Sequence, residues 1–105
     1  MKYTVNVSAE AKRLIEEQAH FVAVEKNEPH GAAAWLIGVD SAIASLEFMP
    51  AQCSLAPENK LTAKTIHVLP IQSHLILFTI DAQNHNVGVL SFRAGWQLPV
   101  EGLGE

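Results

Sequence analysis

Leu75, Ile76, Leu77 and Phe78 form an unbroken apolar run inside residues 74–81, and a short break bounds it on each side, PIQS at 70–73 and AQNHN at 82–86. A strand sends alternate side chains to opposite faces, so a strand that is apolar at every position needs cover on both and belongs in the middle of a sheet. Both breaks are of hairpin length. The segments on either side, about 64–69 and 87–94, are therefore expected to pair antiparallel with it.

The N-terminal part must supply the cover. Tyr3, Val5 and Val7 alternate with Lys2, Thr4 and Asn6, the pattern of a strand with one buried face. Ser8 follows as a helix N-cap, and Glu10 places negative charge in the first turn. Ala11, Leu14, Ile15, Ala19 and Val22 then share one helical face, predicting a helix of four to five turns that ends near Lys26 and Asn27, before Pro29. Pro29 suits the first turn of a second helix, expected over 29–48, whose stripe is Ala32, Leu36, Val39, Ile43 and Leu46, widened by Trp35 and Ala42. So short a link makes the two helices an antiparallel hairpin. Residues 49–62 show no periodicity and read as a surface loop. The order β-α-α-β-β-β predicts an α+β fold, a helical hairpin packed on an antiparallel sheet.

Composition bounds what such a domain can do. The chain has 105 residues, 49% hydrophobic and 17% charged, enough for one self-sufficient core. We expect a single domain over 1–99 and a short tail at 100–105. The longest apolar run, 32–39, is far below the ~18 residues of a membrane span. The opening residues lack the pattern of a signal peptide, and Cys53 has no second cysteine to pair with, so a reducing cytoplasm is the expected setting. The net charge of −4 argues against direct, sequence-specific nucleic-acid binding. That charge is uneven. Residues 1–59 carry four basic and eight acidic side chains, whereas 60–99 carry Lys60, Lys64 and Arg93 against Asp81 alone.

Four stretches carry a family resemblance. KYTVNVSAEAKRLIEE, AIASLEFMP, IHVLPIQSHLILFTID and NVGVLSFRAGWQLP follow in order over about residues 2–99. Together they resemble the RelE/ParE toxins of type II toxin–antitoxin systems, also described as plasmid-stabilisation proteins. The resemblance implies a RelE/ParE-like fold and a cognate antitoxin that covers the apolar groove of the helical hairpin or the sheet edge. It also implies an essential target, either DNA gyrase, held without catalysis as in the ParE branch, or messenger RNA cut on the ribosome as in the RelE branch. Several positions depart from the cutting branch. The family's basic residue on the third strand of the C-terminal sheet falls on Ser91, its common histidine on Ala94, and the basic residue opening the strand pair on His67; the tyrosines of the central strand fall on His74 and Phe78. In-line attack by a 2′-hydroxyl needs a proton acceptor, a proton donor and cations for the phosphate, which these residues scarcely supply. The resemblance thus favours a ParE-like binder; a RelE-type endoribonuclease and a non-toxic interaction module on the same fold stand as alternatives.

The residues expected to meet the target or antitoxin are Lys60, Lys64, His67, His74, Ser91, Arg93 and Trp96. Arg93 is expected to share a strand face with Ser91 and Val89, and to reach a partner's carboxylate or phosphate with its guanidinium fork. Pairing with Asp40 or Glu47 is the internal alternative. His67 and Arg93 are the candidates for catalysis, and His67 with His74 across the hairpin is the candidate acid/base pair. Trp96, beyond Gly95, has the character of an interface anchor. His20, His30 and His85 lack ligand spacing, so neither a metal nor a cofactor is expected.

Overall fold

A computed structural model describes residues 2–60, 65–95, 97 and 99. Strand β1 (Thr4–Val7) leads into helix α1 (Ala9–His20) through Ser8. The Ser8 hydroxyl oxygen accepts from the Ala11 amide at 3.0 Å, and the hydroxyl donates to the Leu90 carbonyl at 3.0 Å. One side chain therefore caps the helix and pins its start to the last strand. Ala11, Ile15 and Ala19, spaced four apart, bury one face of α1, while Arg13 on the solvent side bridges Glu10 and Glu17.

Helical geometry continues to Glu25 as expected, but it widens into a π-helical turn over Phe21–Glu25 in which nothing is buried. Asn27 then takes a positive φ of 54°, and helix α2 (Pro29–Ser45) starts with proline in its first turn. It buries Ala32, Trp35 and Val39 and leaves Leu36 and Ile43 half-covered. Leu46 lies just past its end, fully packed.

The expectation for residues 49–62 is corrected. Instead of a plain surface loop, two short 3-10 turns (Pro50–Gln52 and Pro57–Lys60) flank a two-residue strand, β2 (Ser54–Leu55). Ala56 and Glu58 are buried. A strand this short, with both side chains exposed, carries no alternation to read.

Strands β3 (His67–Ile71), β4 (His74–Asp81) and β5 (Asn86–Ala94) complete a sheet of order β1-β5-β4-β3-β2. From β2 to β5 consecutive strands pair antiparallel, and β1 joins parallel to β5, so the sheet is mixed where an antiparallel one was expected. β3 begins at His67 rather than near 64 and includes Pro70. That proline is tolerated because β2 pairs only with His67 and Val68, which leaves Pro70 on the uncovered edge, where its missing N–H breaks no ladder. The β3–β4 link is the two-residue turn Gln72–Ser73, with Gln72 at φ 53°. In the β4–β5 turn the Asp81 carboxylate accepts from the Asn84 side-chain and backbone N–H at 2.8 and 3.2 Å, which holds its pKa below the usual carboxylate value.

β4 is the central strand. Ile76, Leu77 and Phe78 are all inaccessible, yet they serve two cores. Ile76 and Phe78 join Val87, Val89 and Phe92 beneath the helices, while Leu77 packs with Ala56, Ile66 and Val68 on the far face. The helical hairpin thus covers one side of the sheet, and Ala56 and Ile66 contribute cover on the other.

Candidate functional site

The position of Arg93 follows from one extra residue in β5. Phe78 pairs with Val89 and Leu77 with Ser91, so Leu90 has no opposite number on β4. A bulge of this kind reverses the phase of the strand. Val87 and Val89 point beneath the helices, whereas Ser91 and Arg93 share the far face with their partners Leu77 and Leu75. The shared face expected for Ser91 and Arg93 is present; Val89 is not on it.

Arg93 is 6% exposed and meets Glu58, which is 0% exposed. Its Nε donates to one carboxylate oxygen at 2.6 Å and one terminal nitrogen to the other at 3.2 Å. The second terminal nitrogen donates to the carbonyls of Ala94 and Gln97 at 3.2 and 3.0 Å. Four hydrogen bonds thus occupy a group with five N–H donors. The pairing expected with Asp40 or Glu47 is corrected: Asp40 belongs to the helical layer, and Glu47 receives Lys2 at 3.3 Å. Gln97 closes the arrangement by accepting the Ala94 amide on its side-chain oxygen at 2.7 Å. Sequence reading missed Glu58, which lies 35 residues away in a segment without periodicity.

The two strand histidines sit beneath the helices. His67 pairs in register with Phe78, stacks over its ring at 5.5 Å, and places Nδ1 3.1 Å from the Cys53 carbonyl. His74 lies flat against Phe92 at 4.9 Å, with Trp35 edge-on at 5.8 Å. Among the described residues its buried Nδ1 has no hydrogen-bond partner, and burial lowers the pKa of the ring. The expected acid/base pairing is corrected. His67 sits opposite Phe78, four residues along β4 from His74, which separates the two by about 13 Å.

Ser91 is buried, at 4% exposure. Lys60 ends the Pro57–Lys60 turn, and Lys64 and Trp96 lie outside the described residues. Several concave surfaces flank the helical hairpin. A cleft of about 470 Å³ opens at its tip, between Phe21, Lys26, His74 and Phe92. A groove of about 230 Å³ runs between α1 and α2, floored by Val7, Ile15, Leu36 and Ile43. Among the described residues no cluster of histidine, cysteine and carboxylate side chains is arranged for a metal, and no helix is long and apolar enough to cross a membrane.

A two-helix hairpin on one face of a sheet that ends in three antiparallel strands is the RelE/ParE-like toxin fold, and solved structures bear that out. A chain from the chromosomal ParDE toxin–antitoxin system of P. aeruginosa superposes with a TM-score of 0.66 at 11% identity, over 89% of this chain and 96% of that one. The RelBE2 toxin–antitoxin complex of Mycobacterium tuberculosis matches at 0.57 and 21% identity, over 90% and 99%. The archaeal RelE–RelB complex of Pyrococcus horikoshii matches at 0.52 and 13% identity, over 93% and 100%. No family model and no curated protein matches the sequence.

Proposed function

We propose that this chain is the toxin of a toxin–antitoxin pair, that it acts by gripping an essential target such as DNA gyrase without breaking bonds, and that a cognate antitoxin neutralises it. The observation that carries the reading is the enclosure of Arg93. Stabilising a pentavalent phosphate requires a cation free to meet developing charge, and this guanidinium is held by a buried carboxylate and two carbonyls. His67 and His74 lie on the other face of the sheet, apart from Arg93 and from each other.

In this reading Arg93 positions a surface. It ties the turn that ends in Lys60 to the strand exit at Gln97. The target-facing residues would be those around that junction; Lys60, Lys64 and Trp96 are proposed as contacts from the sequence alone. The test is induction in bacteria without a neighbouring antitoxin, followed by parallel assays of gyrase supercoiling and of translation with mapped mRNA ends. Growth arrest with supercoiling inhibited and messages intact is expected. Discrete mRNA cuts would overturn the non-catalytic reading, and undisturbed growth would overturn the toxin reading.

A further inference from the structure

At the end of the sheet where β1 and β5 begin and β4 finishes, the surface pairs a projecting aromatic with a hollow. Backbone hydrogen bonds make it one unit: the Tyr3 amide donates to the Glu47 carbonyl and the Thr4 amide to the His85 carbonyl, each at 2.8 Å. Past Glu47 the buried Pro50 draws the chain inward, and Met49 takes φ 50° and ψ 49°, a left-handed geometry unfavourable for a residue with a Cβ. Phe48 and Met49 are left outside, 62% and 65% exposed. Beside them lies a hollow of about 410 Å³, lined by Tyr3, Met49, Ala51, Gln52 and His85 and free of Asp, Glu, Lys and Arg among the described residues. The tip cleft and the groove between α1 and α2 both contain such charges. At the rim Lys2 pairs with Glu47 at 3.3 Å, and the Asp81 carboxylate in the adjoining turn is engaged by Asn84.

We propose that this end is a two-fold contact with a second copy of the chain, in which Phe48 of each copy enters the hollow of the other and Lys2 of each faces Glu47 of the other. A two-fold contact uses the same patch twice, so the patch must carry both members of every complementary pair. This one holds a projecting ring beside an uncharged hollow, and one cation beside one anion. That balance disfavours other occupants, since a nucleic acid needs an excess of cations and a strongly charged protein an excess of the opposite sign. The patch has far fewer residues than the roughly 20–30 a side of a standard interface, so the dimer is weak and forms at high concentration. The inference is independent of the toxin reading.

Sedimentation velocity on the full chain, taken up to about 1 mM, should show a reversible shift from one chain mass towards two. Because Phe48 is exposed, Phe48→Ser should fold normally, and loss of a central aromatic anchor should weaken the dimer at least ~10-fold. Ile37→Ser, at an open position on α2, should leave it intact. Charge swaps add a test that a merely sticky patch fails. Lys2→Glu sets two acids against two acids across the axis, and Glu47→Lys sets two lysines against two lysines, so each variant alone should stay monomeric while an equimolar mixture forms the mixed dimer. Urea midpoints confirm that each variant is folded. A chain that stays monomeric throughout, a dimer indifferent to Phe48→Ser or dissolved by Ile37→Ser, or charge variants that fail to associate on mixing overturns the proposal.

Discussion

Arg93 and Glu58 are the charged pair of the far face, and the energetics of a buried pair predict an asymmetric response to mutation. Removing one partner leaves the other charge uncompensated in a dry site, and such losses typically cost about 3–5 kcal/mol. Arg93→Ala should therefore lower unfolding stability by that order, and Arg93→Met combined with Glu58→Gln should lose clearly less, as read from urea denaturation. If the double substitution costs as much as the two singles together, the pair is not coupled. It follows that a loss of toxicity in Arg93→Ala is informative only beside a stability measurement. His74 gives a second prediction at this scale. Burial depresses its folded pKa below the ordinary 6.5, so the unfolded chain binds the proton more readily. This contribution is complete above pH 6.5 and is lost as pH falls from there towards the folded value. His74→Phe should flatten the decline in urea midpoint between pH 7.5 and 5.5; an unchanged pH profile would remove His74 as its source.

At the level of elements, the controlling feature is the bulge at Leu90 and its tether to Ser8. Were Leu90 paired as an ordinary strand residue, the C-terminal half of β5 would turn Ser91 and Arg93 beneath the helices and Phe92 away from them. Deleting Leu90 instead joins Val89 directly to Ser91 and keeps Ser91, Phe92 and Arg93 on their present faces, so unfolding should stay cooperative, measured by near-ultraviolet circular dichroism on heating; loss of cooperativity would contradict this register. Ser8→Ala acts on the tether. It removes an N-cap and unpairs the Leu90 carbonyl, which together should cost about 1–3 kcal/mol, whereas Ser8→Asp should keep the cap and lose only the hydroxyl donor. Much of this architecture was legible: the hairpin helices, the central strand and the two tight turns follow from apolar period and from the placement of proline and polar residues. The bulge was not, because VGVLSF reads equally well as an unbroken strand. The only local trace is that Val87 and Val89 on one phase give way to Phe92 on the other.

Across the whole molecule, stability should be graded outward from β4. Its residues Ile76, Leu77 and Phe78 are inaccessible and serve both cores, while the π-helical turn Phe21–Glu25 buries nothing. Native-state hydrogen exchange should accordingly find the slowest amides in β4 and β5 and the fastest in the wide turn; comparable protection in the two regions would contradict the layering. The sequence by itself determined the layers, since period and punctuation are local properties carried by side chains a few positions apart. Tertiary structure decided which side of the sheet each polar residue of the last strands occupies and which acid meets Arg93. Those outcomes rest on a one-residue phase change, of which neighbouring residues keep only the shift from Val89 to Phe92, and on a contact spanning 35 positions, which no neighbouring residue encodes.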